Sequence, residues 1–189
     1  MDVNDLKGLY AEANKRMTAA LERVKHELAG VRTGRASVSI LDSVHVEAYG
    51  ARMPLNQLAS LSVPEPTLIV AQPFDPSQLG AIEKAVRASD LGLNPSNDGK
   101  VVRIPIPSLT EERRKELSKH VRAEGENAKV AIRNVRRDAN QHLKDALKKK
   151  LITEDDDKRA EETVQKFTDR FITEVDKLVA AKEKDVMQV

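Results

Sequence analysis

Apolar residues recur every three or four positions over three long stretches of the chain, which is the period of an α-helix packed on one side. The first stretch covers residues 6–31, the second runs from about residue 110 to 151, and the third covers residues 153–178. All eight prolines lie from Pro54 to Pro107, so proline interrupts none of these stretches. The pattern predicts a bundle of three long helices built from both ends of the chain.

Capping signals indicate where the last two helices begin. Thr110 precedes Glu111 and Glu112, and acidic residues in the first turn are stabilised by the helix dipole. Thr153 is followed three residues later by Asp156, which resembles a capping box with Asp in the place of Glu or Gln. The second helix is therefore expected to begin near Glu111, and the third directly after Thr153.

The middle of the chain, residues 32–107, loses the helical period and shows strand and turn signals instead. Residues 44–48 alternate apolar and polar side chains, and residues 67–71 form a short apolar run with β-branched side chains. Residues 76–88 have the spacing of one helix, and the sequence NDG at residues 97–99 indicates a hairpin turn. These signals predict a small β/α/β domain.

Together the signals predict an α+β fold, in which a small domain is inserted into a helical one. The three-helix bundle domain comprises residues 1–31 and 108–189, and the inserted β/α/β domain comprises residues 32–107. Aromatic residues are only 3% of the chain and charged residues 33%, which suits long exposed helices. No apolar run approaches the roughly 20 residues that span a bilayer, and residues 1–10 lack a secretory signal. We therefore expect a cytoplasmic protein without membrane contact.

The charge of the chain is unevenly distributed, although the net charge is only +2. Residues 1–31 and 32–107 are each neutral, residues 108–151 carry +6, and residues 152–189 carry −4. One predicted helix thus holds the positive charge, and the helix after it is acidic.

Five cations of the basic helix lie close together on its surface. At about 100° per residue, they fall within roughly 60° of one another and beside the apolar stripe, so we expect them to point outward from the bundle. They are Lys115, Arg122, Lys129, Arg133 and Arg136. Such a row matches the repeating phosphates of folded RNA. The alternative is a solvated face whose cations pair with Glu126 or with the acidic last helix.

The residue pattern does not favour catalysis or metal binding. The chain has no cysteine, and the four histidines (His26, His45, His120 and His142) do not have the spacing of metal ligands. The acidic run at residues 154–157 is typical of a helix N-terminus. The sequence contains neither a phosphate-binding loop nor a Gly-rich dinucleotide turn. We therefore expect a protein that is not an enzyme and needs no metal or cofactor.

Several segments resemble, in the same order, the signature motifs of the ribosome recycling factor family. The segments are VRTGRAS at residues 31–37, PLNQLA at 54–59, ASDLGLNP at 88–95, LTEERRK at 109–115, VRRDAN at 135–140 and EDDD at 154–157. Single motifs of this kind are moderately specific, whereas this many in register are highly specific. The resemblance runs from one end of the chain to the other.

The resemblance implies an L-shaped, monomeric molecule of transfer-RNA-like dimensions, in which the bundle is the long arm. It further implies ribosome recycling: with elongation factor G and GTP, such a protein splits the post-termination ribosome and frees messenger RNA and transfer RNA. The expected partners are the RNA of the large ribosomal subunit and elongation factor G. Charge pattern and resemblance together predict eight RNA-binding residues, namely Arg32, Arg35, Arg114, Arg122, Lys129, Arg133, Arg136 and Arg137.

The two connections between the predicted domains suggest a hinge, with Gly34 as a swivel on one and Pro105 and Pro107 as struts on the other. Two other classes of function remain open on the sequence. One is a different ribosome- or RNA-binding factor without recycling activity. The other is a helical adaptor that binds protein, whose apolar interface would respond far less to salt than an RNA contact.

Overall fold

The computed structural model describes residues 5–188, which divide into two compact units. Unit 1 holds the described residues up to Arg32 and from Glu111 onward, and unit 2 is Thr33–Thr110. Long helices make up unit 1, whereas strands and one short helix make up unit 2. The predicted α+β class is confirmed.

Three helices form unit 1: α1 (Leu6–Ala29), α3 (Glu111–Lys148) and α4 (Glu154–Met187), with α2 (Leu79–Ala88) lying in unit 2. Each long helix packs against the other two. Their apolar stripes meet in two buried clusters, as the spacing predicts. Leu21 joins the larger cluster although it lies outside the regular seam. The larger buried side chains include Leu9, Met17, Leu21, Leu28, Val121, Ile132, Leu143, Phe171 and Val175.

The start of α4 has the capping box that the sequence predicts. The Asp156 backbone N–H donates to Thr153 Oγ1 at 3.1 Å, and the Thr153 backbone N–H donates to Asp156 Oδ2 at 3.1 Å. The side-chain and backbone hydrogen bonds from Thr153 hold the pKa of the Asp156 carboxyl below its usual value. In the preceding turn Lys150 has a φ of 58°, a left-handed conformation that favours glycine.

Gly125 lies inside α3, opposite Val175 and Val179 of α4. A Cβ atom at this position would lie 2.4 Å from Val179 Cγ2, well inside van der Waals contact. The glycine therefore permits a close helix–helix approach, although it lowers the helix propensity of α3 by about 1 kcal/mol relative to alanine.

Unit 2 contains two antiparallel sheets. β1 (His45–Ala48) and β2 (Ala51–Pro54) form a hairpin. The second sheet contains β3 (Ala59–Glu65), β4 (Leu68–Pro73), β5 (Ser96–Asn97) and β6 (Val102–Pro105), in the order β3-β4-β6-β5. Short 3₁₀ turns at Val38–Leu41, Leu55–Gln57 and Pro76–Gln78 connect these elements, and the last leads directly into α2.

The core of unit 2 is a single apolar cluster beneath the sheets and α2. Its fully buried side chains include Val46, Leu55, Ile69, Ile82, Val86, Val102 and Ile104. The predicted hairpin around residues 97–99 is confirmed by the pairing of β5 with β6. The sequence signals missed β2 and β3. Each contains a proline, Pro54 and Pro64, no side chain of β2 is buried, and most side chains of β3 are exposed.

Candidate RNA-binding surface

Six of the eight predicted RNA-binding residues lie on α3, which at 38 residues is about 57 Å long. Arg32 is exposed in unit 1 beyond the end of α1, and Arg35 is exposed in unit 2. The α3 row therefore includes neither of them. The partners of the α3 cations decide which of them have charge available for a ligand.

Lys129 is a structural cation. Its Nζ lies 2.7 Å from Asp176 Oδ1 on α4 and 2.8 Å from Glu126 Oε1 on α3, and its side chain is only 16% exposed. Hydrogen bonds to Asp176 and then Glu126 raise the pKa of Lys129 against the opposing effect of burial. The expectation that the whole row points outward is wrong at this position, because Lys129 turns toward α4 to pair with Asp176.

Arg122, seven residues before Lys129, also faces α4, but its side chain remains exposed to solvent. Its Nε donates to Glu183 Oε1, and Ser118 Oγ donates to the same carboxylate oxygen at 2.9 Å. The Arg122 side chain is nevertheless 70% exposed. Within the described chain no acceptor is bound to its two terminal Nη groups, so the carboxylate fixes the arginine from the side and leaves the end of the guanidinium available.

Arg136, one heptad after Lys129, has a neutral partner on α4. Its Nη1 donates to Gln165 Oε1 at 3.3 Å, and Gln165 Nε2 in turn donates to Asp169 Oδ1 at 2.8 Å. An amide oxygen does not neutralise a guanidinium, so the positive charge of Arg136 remains uncompensated.

Three further arginines of α3, Arg114, Arg133 and Arg137, form no hydrogen bond or ion pair within residues 5–188. The one carboxylate next to Arg137 in the chain, Asp138, is bound to Arg16 of α1 at 2.8 Å. The segment from Arg133 to Arg137 therefore carries three arginines and no available carboxylate. This is the best-placed part of α3 for binding phosphates.

The acidic partners on α4 were not predicted individually, although the seven-residue spacing of charged residues on both helices could have identified them. Arg122 and Lys129 are seven residues apart on α3, and Asp176 and Glu183 are seven apart on α4. Because consecutive long helices of a bundle run antiparallel, two heptad-spaced cations face two heptad-spaced carboxylates. The alternative that the cations pair with Glu126 or with the acidic last helix therefore describes the partners of Lys129 fully and those of Arg122 in part.

The three predicted hinge residues all lie within unit 2. Gly34 has a φ of 73°, and a Cβ there would lie 3.0 Å from Leu109 Cγ, so this position favours glycine twice over. Pro105 ends β6, where it pairs with Leu68, and is part of the sheet rather than of a linker. Gly34 and the exposed Pro107 remain the predicted hinge residues.

No group of three or more His, Cys, Asp or Glu side chains within residues 5–188 is arranged to hold a metal ion. No helix in the same range is long and apolar enough to cross a membrane.

Comparison with known proteins gives one consistent result. Residues 24–187 match the family model described as ribosome recycling factor. The ribosome-recycling factor of Polaromonas sp. (strain JS666) is 53% identical over 177 residues, which are 94% of this chain and 95% of that protein. The one from Halalkalibacterium halodurans is 54% identical over 183 residues, 97% of this chain and 99% of that protein.

Two solved structures agree with the sequence comparison. The solution structure of a ribosome recycling factor is 45% identical, covers 97% of this chain and 98% of its own, and has a TM-score of 0.73. The second structure describes the T. thermophilus ribosome recycling factor and the E. coli elongation factor G bound to the E. coli post-termination complex. It is 50% identical, covers 97% of this chain and 99% of its own, and has a TM-score of 0.61.

Proposed function

The chain belongs to the ribosome recycling factor family and is a non-enzymatic factor of ribosome recycling, and we propose that it does this by gripping ribosomal RNA with α3. In this proposal it binds the post-termination ribosome in the cytoplasm. Together with elongation factor G and GTP it then separates the subunits and releases messenger RNA and transfer RNA. The match over nearly the whole chain to a protein bound to the post-termination complex carries the proposal.

The charge of α3 supports RNA as the direct ligand. Arg133, Arg136 and Arg137 present three guanidinium groups on two adjacent turns, and no described carboxylate neutralises them. Guanidinium groups bind phosphate oxygens through paired hydrogen bonds, and a rigid helix holds them at fixed spacing along an RNA backbone. Arg114 adds a further unpaired cation near the start of the helix. Arg32 and Arg35, which lie outside α3, remain predicted RNA-binding residues.

Lys129 has a different part in the proposal. Because its ammonium is shared between Asp176 of α4 and Glu126 of α3, it holds α4 against the arginine-bearing helix. A lysine also lacks the planar fork with which arginine binds phosphate. We therefore assign it to positioning rather than to direct RNA contact.

The factor forms and breaks no covalent bonds in this mechanism. The free energy for splitting therefore comes from GTP hydrolysis by elongation factor G. We propose that unit 1 holds the ribosome while the partner acts on unit 2, and that Gly34 and Pro107 allow the movement. A recycling factor of this kind needs both units in one chain. A plain RNA-binding module or a helical adaptor does not.

The proposal is tested by light scattering on purified post-termination ribosomes. Subunit splitting is expected only when the protein, elongation factor G and GTP are all present, and the omission of any one is the control. Splitting that proceeds without the GTPase, or no splitting with all components present, would overturn the proposal. Ribosome binding without splitting would point to the alternative of a ribosome-binding factor that does not recycle.

A further inference from the structure

A second cationic site lies within unit 1, where the beginning of α3 meets the end of α4. A cleft of about 470 Å³ opens there between the two helices. Four of its seven lining residues are cations, namely Lys115, Lys119, Arg122 and Lys184, against the single carboxylate of Glu183. The lining side chains carry a net charge of +3, which falls to +2 when the Glu111 carboxylate paired with Lys115 is counted, and this excess of positive charge suits an anionic ligand.

The arginine of this cleft is held in place before any ligand arrives. Glu183 accepts hydrogen bonds from both Ser118 Oγ and Arg122 Nε, and its own side chain is only 23% exposed. The hydroxyl thus fixes the carboxylate, and the carboxylate fixes the arginine by its side. Because the Arg122 Nε group donates to the carboxylate, its two Nη groups remain available to donate hydrogen bonds to a phosphate.

The lysines differ in how far they are engaged. Lys115 is paired with Glu111 at 2.9 Å on the surface of α3. The side-chain ammonium groups of Lys119 and Lys184 have no hydrogen-bond or ion-pair partner within the described chain. Lys119 lies on the α3 side of the cleft and Lys184 on the α4 side. Three groups are therefore ready for phosphate contact: the Arg122 guanidinium and two ammonium groups.

The cleft also has an apolar surface, which distinguishes RNA from a small anion. Met187 is 48% exposed and lines the cleft together with the aliphatic stems of the lysines. A flexible thioether makes favourable contacts with aromatic rings, and an unstacked nucleotide presents the planar face of its base next to its phosphate group. Cations and an exposed apolar side chain in one cleft therefore fit a nucleotide segment better than free phosphate.

We propose that this cleft is a second RNA-binding site, in which Arg122, Lys119 and Lys184 bind phosphates and Met187 packs against a base or ribose. Arg122 of the cleft lies 11 residues before Arg133 on α3, which is about 16 Å along the helix axis. The factor would then hold ribosomal RNA at two points of one rigid helix. This inference rests on the proposed function and adds a second place on the protein where ribosomal RNA binds.

The test compares a Lys119→Gln/Lys184→Gln variant with a Lys158→Gln/Lys166→Gln control. The control removes the same charge from exposed lysines of α4 outside the cleft. Affinity for the large ribosomal subunit is measured by cosedimentation over a series of salt concentrations. The cleft variant should bind about tenfold more weakly, and its salt slope should fall by about 1.5–2, as expected for two lost phosphate contacts. The control should keep the wild-type slope.

Equal behaviour of the two variants would overturn the cleft as an RNA site and leave the proposed function standing, because wild-type splitting is measured separately. A wild-type protein that fails to bind ribosomes would overturn the proposed function instead. In that event an NMR titration of the Met187 methyl group with a single-stranded RNA oligonucleotide decides on the cleft. Movement of the methyl signal with RNA, but not with inorganic phosphate at the same ionic strength, supports the inference. Equal movement with both ligands, or none with RNA, contradicts it.

Discussion

Replacing Gly125 by alanine measures how closely α3 and α4 pack at the centre of unit 1. Alanine is the better helix former by about 1 kcal/mol, so helix propensity alone predicts a more stable protein. The new methyl group, however, would lie 2.4 Å from Val179 Cγ2. Valine has little freedom to turn its side chain away in a helix. Overpacking of this kind costs about 1–3 kcal/mol, so Gly125→Ala should lower the free energy of unfolding by about 1 kcal/mol net.

The assay is urea unfolding followed by circular dichroism, which reports mainly on unit 1 because the three long helices lie there. Gly8→Ala in α1 is the matched control, since its nearest neighbour would be Asp5 Cβ at 3.9 Å and the residue is exposed. That variant should gain up to about 1 kcal/mol. Adding Val179→Ala to Gly125→Ala should recover part of the loss, as a coupling of roughly 0.5–1 kcal/mol. If Gly125→Ala stabilises as much as Gly8→Ala, the close approach of α3 and α4 is refuted.

Three further changes test the turn before α4, the ion pairs of Lys129 and the cap of α4. Lys150→Gly should raise the unfolding free energy by about 1 kcal/mol, because it relieves a left-handed φ of 58°; an unchanged urea midpoint would contradict this. The raised pKa of Lys129 means that its pairing stabilises the fold below the ordinary lysine pKa and is lost as pH rises through the folded value. Alkaline unfolding curves should therefore lose less stability with pH in Lys129→Met than in the wild type, and parallel curves would argue against the assignment. Thr153→Ala should cost about 1 kcal/mol. Because the pKa of Asp156 is lowered, the contribution of this cap should fade as pH falls through that lowered value, and a pH-independent difference would sink the reasoning.

Much of the helical unit follows from the sequence because its signals are local. The three- and four-residue spacing identifies the buried side of each helix, and Thr153 with Asp156 locates the start of α4 to the residue. Gly125 shows the limit of such signals. Its position inside α3 lowers helix propensity, but only the packing of Val179 against it explains why the position favours a glycine.

Unit 2 was predicted less completely, because its strands depend on partners distant in the chain. β3 has mostly exposed side chains and includes Pro64, so its own sequence carries a weak strand signal. Its pairing with β4 decides its conformation, from Ala59 opposite Pro73 to Glu65 opposite Leu68. The helix and the final hairpin were predictable because helical spacing and the turn sequence NDG act over a few residues.

The cations show the same division between local and tertiary information. Helical spacing placed five cations on one flank of α3 but could not show which of them α4 would engage. They are Lys115, Arg122, Lys129, Arg133 and Arg136. Burial against Asp176 removed Lys129 from the available surface, whereas Arg122 kept its exposure beside Glu183. Partner geometry, rather than charge count, therefore separates the structural cations from the candidate ligand-binding ones.

The central claim is that uncompensated arginines of α3 hold the ribosome while it is split, and subunit splitting by an Arg133→Ala/Arg136→Ala variant tests it most directly. Each lost charge-assisted contact should weaken ribosome binding by about 1.5–3 kcal/mol, and neither side chain forms an ion pair within the described fold, so unfolding should change little. At limiting protein concentration the account predicts that the wild type splits post-termination ribosomes with elongation factor G and GTP, and that the variant does so at less than a tenth of the rate, recovering as its concentration is raised. A variant that remains folded and splits ribosomes at the wild-type rate under limiting conditions would contradict the account.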